Sequence, residues 1–431
     1  MDNDIAPAQQ RAFPRLLRAV EPPLALYLRS GRNDHIVLAQ SLTEGLTGLR
    51  GIIFDPGRPK PQQELRDEAD RRGVETVLDP RMIELASEMV ERRKELAGLD
   101  WAFAGRKGAD ELKTNVGKEA ARKIAAFVVN NGFSAVVAPT HYLNRAEDPW
   151  VSADCFLTSA LRDSLDTMGA TEIPVYYPLA LPSAIFRNSA QRKEILRALR
   201  DVPIDSIWLR IHPFGTTASG PIALTGYIEG CQEFHQLKIP LVAERTGTVG
   251  IALLSFGAVG GIESGITTGE SFNAIGLTRP PNKGKAFLPP PRVYVKELGA
   301  FLSVEQARAF FSLRGMKAFF GCRESCCTRG VQDTLDDPRR HFIVTRAREV
   351  ARISSVPVTR RRQIYLEEIV RPATDLALQA SRVFPALDKQ RRRVESWRGT
   401  LGAVERENPL QSWSEPPNGR RVVARHRASA E

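Results

Sequence analysis

Short apolar runs alternate with amphipathic stretches from about residue 24 onward. The runs are LALYL (24–28), GIIF (51–54), VETVL (74–78), SAVVA (134–138), PVYYP (174–178), SIWLRI (206–211), PLVAE (240–244) and AVGGIE (258–263). Each is too short for a helix and apolar at consecutive positions, the pattern of a strand buried on both faces. The intervening stretches carry helical periodicity: from Asp34, over 60–72, over 152–167, in QRKEILRALRD, over 222–236 and over 249–257. Eight β-type runs separated by helices predict a TIM-type (β/α)8 barrel rather than an open doubly wound sheet. No Gly-x-Gly-x-x-Gly follows the first run, which argues against a dinucleotide-binding fold. A long insertion, 81–132, should hold two or three helices, including MIELASEMVERRKEL and KEAARKIAAFVVNN, with Gly132 as C-cap.

After the eighth run the alternation stops. RPPNKGKAFLPPPR (279–292) is a proline-rich connector that excludes regular structure. RVYVKEL suggests an extra strand, and SVEQARAFFSLRG a helix with Ser303 as N-cap. A cysteine-rich segment follows, then arginine-rich helices over 342–353 and 359–384. The expected organisation is an N-terminal segment (1–20), the barrel (21–278), a connector with a Cys/His module and basic helices (279–388), and a basic, largely disordered tail (389–431).

Composition changes the picture mainly through charge. The formal net charge is +11, which favours an anionic partner, nucleic acid (tRNA or DNA) ahead of a phosphorylated metabolite. A basic surface that binds neither is equally compatible. Five cysteines in a chain of 431 residues do not make a disulfide framework and suit a reducing compartment. No apolar run approaches membrane-spanning length, and MDNDIAPAQQRAF lacks the features of a secretory signal. A cytoplasmic protein without membrane association is expected.

In a barrel, chemistry gathers where strands end at their C-termini. The residues there are Arg29, Asp55, Asp79, Thr140, His141, Arg210, His212, Glu244, Arg245 and Glu263. Asp55 and Asp79 each precede proline and also suit a turn. Asp55 is the candidate base, and Glu244 or Glu263 the candidate nucleophile or stabiliser of a cationic sugar. Arg210 and His212, two apart on one strand, share a side and could orient a planar or anionic substrate. His212 could equally pack beside Pro213 and Phe214. The glycine-rich stretch 243–273, with Gly261, Gly265, Thr268 and Gly269, offers amides and hydroxyls for a phosphate or nucleobase, or merely close packing.

Cys322, Cys326, Cys327 and His341 fall in GCRESCCTRGVQDTLDDPRRH, spaced C-x3-C-C-x13-H. Three thiolates and an imidazole suit a closed, structural Zn2+ site, while a buried apolar thiol pair with an incidental histidine is the alternative. A barrel, a late Cys3His cluster and following helices on a basic chain resemble the tRNA-guanine transglycosylase superfamily, including its DNA-acting 7-deazaguanine relatives. That resemblance implies a zinc module held by Cys322, Cys326, Cys327 and His341. It also implies base exchange, in which an aspartate attacks the sugar C1′, guanine leaves and a deazaguanine enters. The family's cysteines are spaced C-x-C-x2-C with a longer gap to histidine, and Glu263 stands near the place of its nucleophilic aspartate in a different context. The competing expectations are a barrel enzyme on a phosphorylated metabolite and a non-catalytic nucleic-acid-binding barrel.

Overall fold

The eight apolar runs form eight parallel strands in the computed structural model, which describes residues 21–31, 33–86, 94–103, 105–268, 270–278, 290–409 and 411–420. They are β1 (Ala25–Arg29), β2 (Gly51–Phe54), β3 (Glu75–Leu78), β4 (Ala135–Val137), β5 (Val175–Pro182), β6 (Ser206–His212), β7 (Leu241–Glu244) and β8 (Gly261–Gly265). The strands close in chain order, with β8 returning to pair with β1. β8 starts later than the run AVGGIE suggests, because Gly257, at φ +68°, ends the preceding helix and 258–260 make the turn into the strand.

Side chains alternate in and out of the barrel wall with period two. One inward layer is apolar, with Tyr27, Ile53, Val77, Tyr176, Trp208 and Val242 in one buried cluster. Two residues further along the same strands, the inward positions are Arg29, Asp55, Asp79, Arg210 and Glu244. An oily plug is therefore capped by a charged layer at the C-terminal mouth. The alternation sets the location of the site.

The helices that follow the strands are α1 (Asp34–Thr43), α2 (Gln63–Arg71), α3 (Asn115–Asn130), α4 (Pro149–Thr167), α5 (Ser189–Leu199), α6 (Pro221–Phe234) and α7 (Val249–Ser255). Within the insertion, short helical turns at Met82–Leu85, Lys94–Ala97 and Ala109–Leu112 precede α3. After β8 come a two-stranded hairpin, β9 (Val293–Val295) and β10 (Ala300–Leu302), and α8 (Val304–Ser312), capped by Ser303 as expected and closed further by Gln306, which completes a capping box.

The next long helix, α9 (Pro338–Ser354), lies on β1 between α1 and α7. Its Phe342, Ile343, Ala347, Val350 and Ile353 join the main core. It occupies the place of the barrel's eighth helix, and Arg339 and Arg340 tie its start to Asp34 and Glu44 on and just after α1. Residues 290–337 are thus an insertion between the eighth strand and the eighth helix. The barrel extends well past residue 278.

Beyond α9 the chain continues as α10 (Val358–Tyr365), a π-helical turn (Leu366–Val370), α11 (Arg371–Val383) and α12 (Asp388–Glu407). A largely disordered tail is expected from 389, yet α12 is regular. Val394, Trp397, Leu401 and Val404, at helical spacing, are buried, and the Trp397 indole N–H donates to the Ser219 carbonyl (2.9 Å). Its run of arginines masks that apolar stripe in the sequence. Residues 411–420 then pass the N-terminal end of the barrel, where Ser414 N–H donates to Gly257 O (3.0 Å) and Leu241 N–H to Ser414 Oγ (2.8 Å). The segments expected at 1–20, 279–289 and 421–431 lie outside the described residues. Among the described residues, no helix is long and apolar enough to cross a membrane.

Candidate active site at the barrel mouth and candidate metal centre

Glu244 and Glu263 end up side by side because β7 and β8 pair with those two residues in register. Arg29, from β1, bridges them. Its Nη2 donates to Glu244 and its Nε to Glu263, both at 2.8 Å, while Nη1 reaches Asp79 at 2.8 Å. Arg210 from β6 completes a ring by binding Asp79 (2.7 Å) and Glu244. The carboxylate side chains of Glu244 and Glu263 have no solvent exposure. Arg210 therefore faces the mouth as expected, but its guanidinium is already engaged by two carboxylates.

The electrostatics of this ring are uneven. Burial works to raise Asp79, but the Arg210 and Arg29 guanidiniums, with Arg81, hold it well below the usual carboxylate range. Burial pushes Glu263 up against the pull of Arg29, and neighbouring Glu244 adds to the rise. Arg245 is pushed down by burial and by Arg29. Three non-glycine residues just beyond strand ends, Arg81, Arg245 and Thr267, have φ between +53° and +59°. Such left-handed backbone costs about 1–2 kcal/mol per residue and gathers at functional sites.

Asp55 is half-buried. It accepts from Gly57 N–H (3.0 Å), the turn role its Asp-Pro-Gly context suggests, and from Arg81 (2.6 Å). His212 is bonded through Nδ1 to the Phe272 carbonyl (2.9 Å). Beside it, Tyr142 packs with buried Ile83, Ala180 and Phe272 in an apolar patch. Gly261 begins β8 at the end remote from the mouth, where a Cβ would lie 3.0 Å from the Ala25 Cβ, so its position is one of close strand packing. Gly265 ends β8 beside Arg29, Thr268 is half-buried just beyond, and Gly269 lies outside the described residues. The next helical turn, Ile275–Thr278, is only four residues long.

Sequence reasoning did not single out Arg81, Asp154, Glu270 or Arg292. Asp154, on α4, accepts from both the backbone N–H (2.9 Å) and the ring Nδ1 (2.6 Å) of His141, which stacks on Trp150. Glu270, paired with Arg292, is pushed up by burial to about 7. The i+13 separation of His141 from Asp154 carries no helical or strand period, so no local pattern could have revealed that pair.

The candidate metal centre is assembled in the insertion and on α9. Cys322, Cys326, Cys327 and His341 offer ligand atoms that all lie within 4.8 Å of one another. Separations are 3.9 Å for Cys322–Cys326, 3.6 Å for Cys326–Cys327 and 3.5 Å for Cys327 Sγ to His341 Nδ1. A tetrahedral ion with bonds of about 2.0–2.3 Å separates its ligand atoms by about 3.5–3.8 Å. The adjacent cysteines converge because the backbone turns tightly around them. Cys327 N–H bonds Glu324 O (2.9 Å) and Gly330 N–H bonds Cys327 O (2.8 Å).

The surroundings suit anionic sulfur. Glu324 N–H points at Cys322 Sγ (3.4 Å) and the Thr334 hydroxyl at Cys327 Sγ (3.4 Å). Contact with Cys326 pulls the Cys322 thiol down, while the same contact pushes Cys326 up. His341 Nε2 lies 2.9 Å from the Tyr294 carbonyl. A carbonyl only accepts, so Nε2 carries a proton and Nδ1 is the nitrogen turned to the sulfurs, with the outer support a metal-binding imidazole needs. This cluster could bind a metal ion.

The arginines expected to offer a cationic face are largely engaged within the chain. Arg346 is fully buried over Tyr294 and Phe342. Arg361 binds Glu21 and backbone carbonyls, and Arg362 binds the Asn408 and Phe256 carbonyls. Arg348 pairs with Glu324 and Arg352 with Glu368. Much of the arginine content of α9 and α10 is explained by packing and in-chain ion pairs.

Fold and clusters together define a TIM-type α/β barrel carrying a Cys3His cluster between its eighth strand and eighth helix. No family model matches the chain, and no curated protein does. Among solved structures it is similar to the endo-1,4-beta-xylanase XylE of Penicillium canescens, at 12% identity over 55% of this chain and 81% of that one, with TM-score 0.38. It is similar to a GH18 chitinase from Pseudoalteromonas aurantia at 11% identity, covering 56% and 93%, with TM-score 0.35. The carboxyl transferase domain of Rhizobium etli pyruvate carboxylase is similar at 11% identity over 89% of this chain and 57% of that one, with TM-score 0.37. Similarity at this level carries no inference about chemistry.

Proposed function

We propose that this protein is a zinc-braced barrel enzyme that acts on nucleic acid by glycosidic base exchange, in the manner of the transglycosylases it resembles in order of elements. The observation that carries the reading is the Cys3His cluster, with ligand separations that suit zinc, set between the eighth strand and the eighth helix of the barrel. Its four protein ligands leave no open coordination position, so the ion has a structural task. It fastens the insertion to the barrel's eighth helix through His341.

The chemistry is assigned to the mouth. A carboxylate oxygen of Glu263 bonds to the sugar C1′ as the N-glycosidic bond breaks, and the bonding pair leaves with the base. The departing base takes a proton from solvent. The incoming base then loses a proton to the Asp55 carboxylate and attacks C1′, which releases Glu263. Glu244 stabilises the positive charge that develops on the sugar, and Arg29 must move off Glu263 for attack to occur. The aromatic and apolar patch around Tyr142 and Phe272, with His212 beside it, offers a flat surface for the base.

A second reading, a nucleic-acid-binding barrel without catalysis, is favoured by the complete burial of Glu244 and Glu263 in ion pairs with Arg29. Both readings meet one experiment, exchange of radiolabelled guanine into tRNA, single-stranded DNA and duplex DNA. The enzyme reading expects label incorporation that Glu263→Gln abolishes without weakening nucleic-acid binding. Binding with no exchange on any substrate supports the scaffold. No binding at low salt removes both, because phosphate contacts strengthen as salt falls.

A further inference from the structure

A cavity of about 400 Å³ lies where α7, the β9–β10 hairpin, α9, the π-helical turn, α11 and α12 meet. That volume is within the range of small-molecule sites. Its walls are mainly apolar and aromatic, with Ile251, Leu298, Tyr365, Val370 and Trp397 among them. The wider π-helical turn presents three consecutive residues, Glu368, Ile369 and Val370, to the same space. Such turns are rare and recur at functional sites.

The charges around this cavity are almost all answered from within the chain. Arg348 pairs with Glu324, Arg352 with Glu368 (2.8 Å), and Lys296 with Glu324 (3.5 Å). Glu349 accepts from the Tyr294 hydroxyl (2.8 Å) and pairs with buried Arg346 (3.2 Å). The exception is Glu297. It is half-buried in the wall and, among the described residues, stands in no ion pair; burial raises its carboxyl, and the cation that draws it, Lys296, is paired with Glu324. An apolar, aromatic-walled chamber with one carboxylate outside any ion pair is complementary to a ligand with a flat hydrophobic body and a single positive charge, which the faces of Tyr365 and Trp397 would also attract.

We propose that this chamber is a binding site for a small aromatic ammonium compound, with Glu297 as the counter-ion and Trp397 and Tyr365 as the walls for its ring. The ligand would touch both the barrel, at α7, and the appended helices.

Three matched probes test this on the full chain by isothermal titration and saturation-transfer NMR: tryptamine (cationic), tryptophol (neutral) and indole-3-propionate (anionic). Tryptamine should bind saturably, about tenfold or more tighter than tryptophol, the worth of one charge-assisted contact, and indole-3-propionate should be weakest. Glu297→Gln should erase the preference for tryptamine while leaving tryptophol unchanged. Ala373→Trp, which fills the chamber, should abolish binding of both at an unaltered unfolding midpoint. Absence of saturable tryptamine binding up to millimolar concentration, preference for the anion, or binding insensitive to both substitutions overturns the proposal.

Discussion

Replacing Glu244 by glutamine should destabilise the protein by about 3 kcal/mol. The carboxylate is fully buried and accepts from two guanidiniums, Arg29 at 2.8 Å and Arg210. Removing one partner of a buried ion pair typically costs about 3–5 kcal/mol, because the opposite charge stays buried without compensation. Here the cost belongs at the lower end. Arg29 keeps Asp79 and Glu263, and Arg210 keeps Asp79 at 2.7 Å. A glutamine oxygen can still accept from one guanidinium, but its amide would face the other. Urea denaturation of Glu244→Gln, Arg210→Met and the double variant, with stability obtained by linear extrapolation, measures the effect. The double variant removes one charge of each sign and should be more stable than the sum of the single losses predicts by about 1 kcal/mol or more. A loss below about 0.5 kcal/mol for Glu244→Gln, or strict additivity, refutes the view that this ring holds the mouth together.

Two further outcomes follow from single sites. Glu270 has its carboxyl raised from 4.5 to about 7 by burial, so the folded state binds a proton that the unfolded state has released. The resulting cost is absent below about pH 4.5, grows as pH rises and is complete above about 7. Glu270→Gln should therefore stabilise the protein by roughly 1–3 kcal/mol at pH 8 relative to pH 4.5, and a pH-independent difference in thermal or urea denaturation contradicts this. A Cβ at Gly260 would lie 1.9 Å from the Glu415 carbonyl oxygen, a clash with backbone. Gly260→Ala should release residues 411–420 and forfeit the Ser414 contacts to Gly257 and Leu241, about 1 kcal/mol each, and limited proteolysis should cut there. Unchanged protease resistance counts against the packing described.

The barrel is legible in the sequence because burial on both faces of a parallel sheet turns every strand into a continuous apolar run, and β1 to β8 all stand out. The mouth is partly legible for the same reason. Period two carries each inward side chain from the oily layer to a charged one, from Tyr27 to Arg29, Val77 to Asp79, Trp208 to Arg210 and Val242 to Glu244. The sequence does not reveal which charges answer one another, since Arg29 meets Glu263 only through barrel closure and Arg81 acts from a left-handed residue after β3. The eighth helix is hidden for a different reason. The insertion of 290–337 separates α9 from β8, and arginines 339, 340, 346, 348 and 352 make it resemble a solvated basic helix. Arg346 is in fact wholly buried against the rings of Tyr294 and Phe342. The Cys3His spacing matches no common finger, and only the turn at Cys326–Cys327 and the return of α9 bring the four ligands together.

The metal content of the purified protein bears most directly on this account, because the Cys3His cluster is what joins the insertion to the eighth barrel helix. Plasma mass spectrometry should find close to one zinc per chain, retained through dialysis against a weak chelator. Cys326→Ser and His341→Gln should each lose that zinc and unfold residues 290–337 ahead of the barrel, since structural metal binding is folding free energy. Less than about a tenth of an equivalent of any transition metal in well-folded protein, or full stoichiometry retained in both variants, would contradict it.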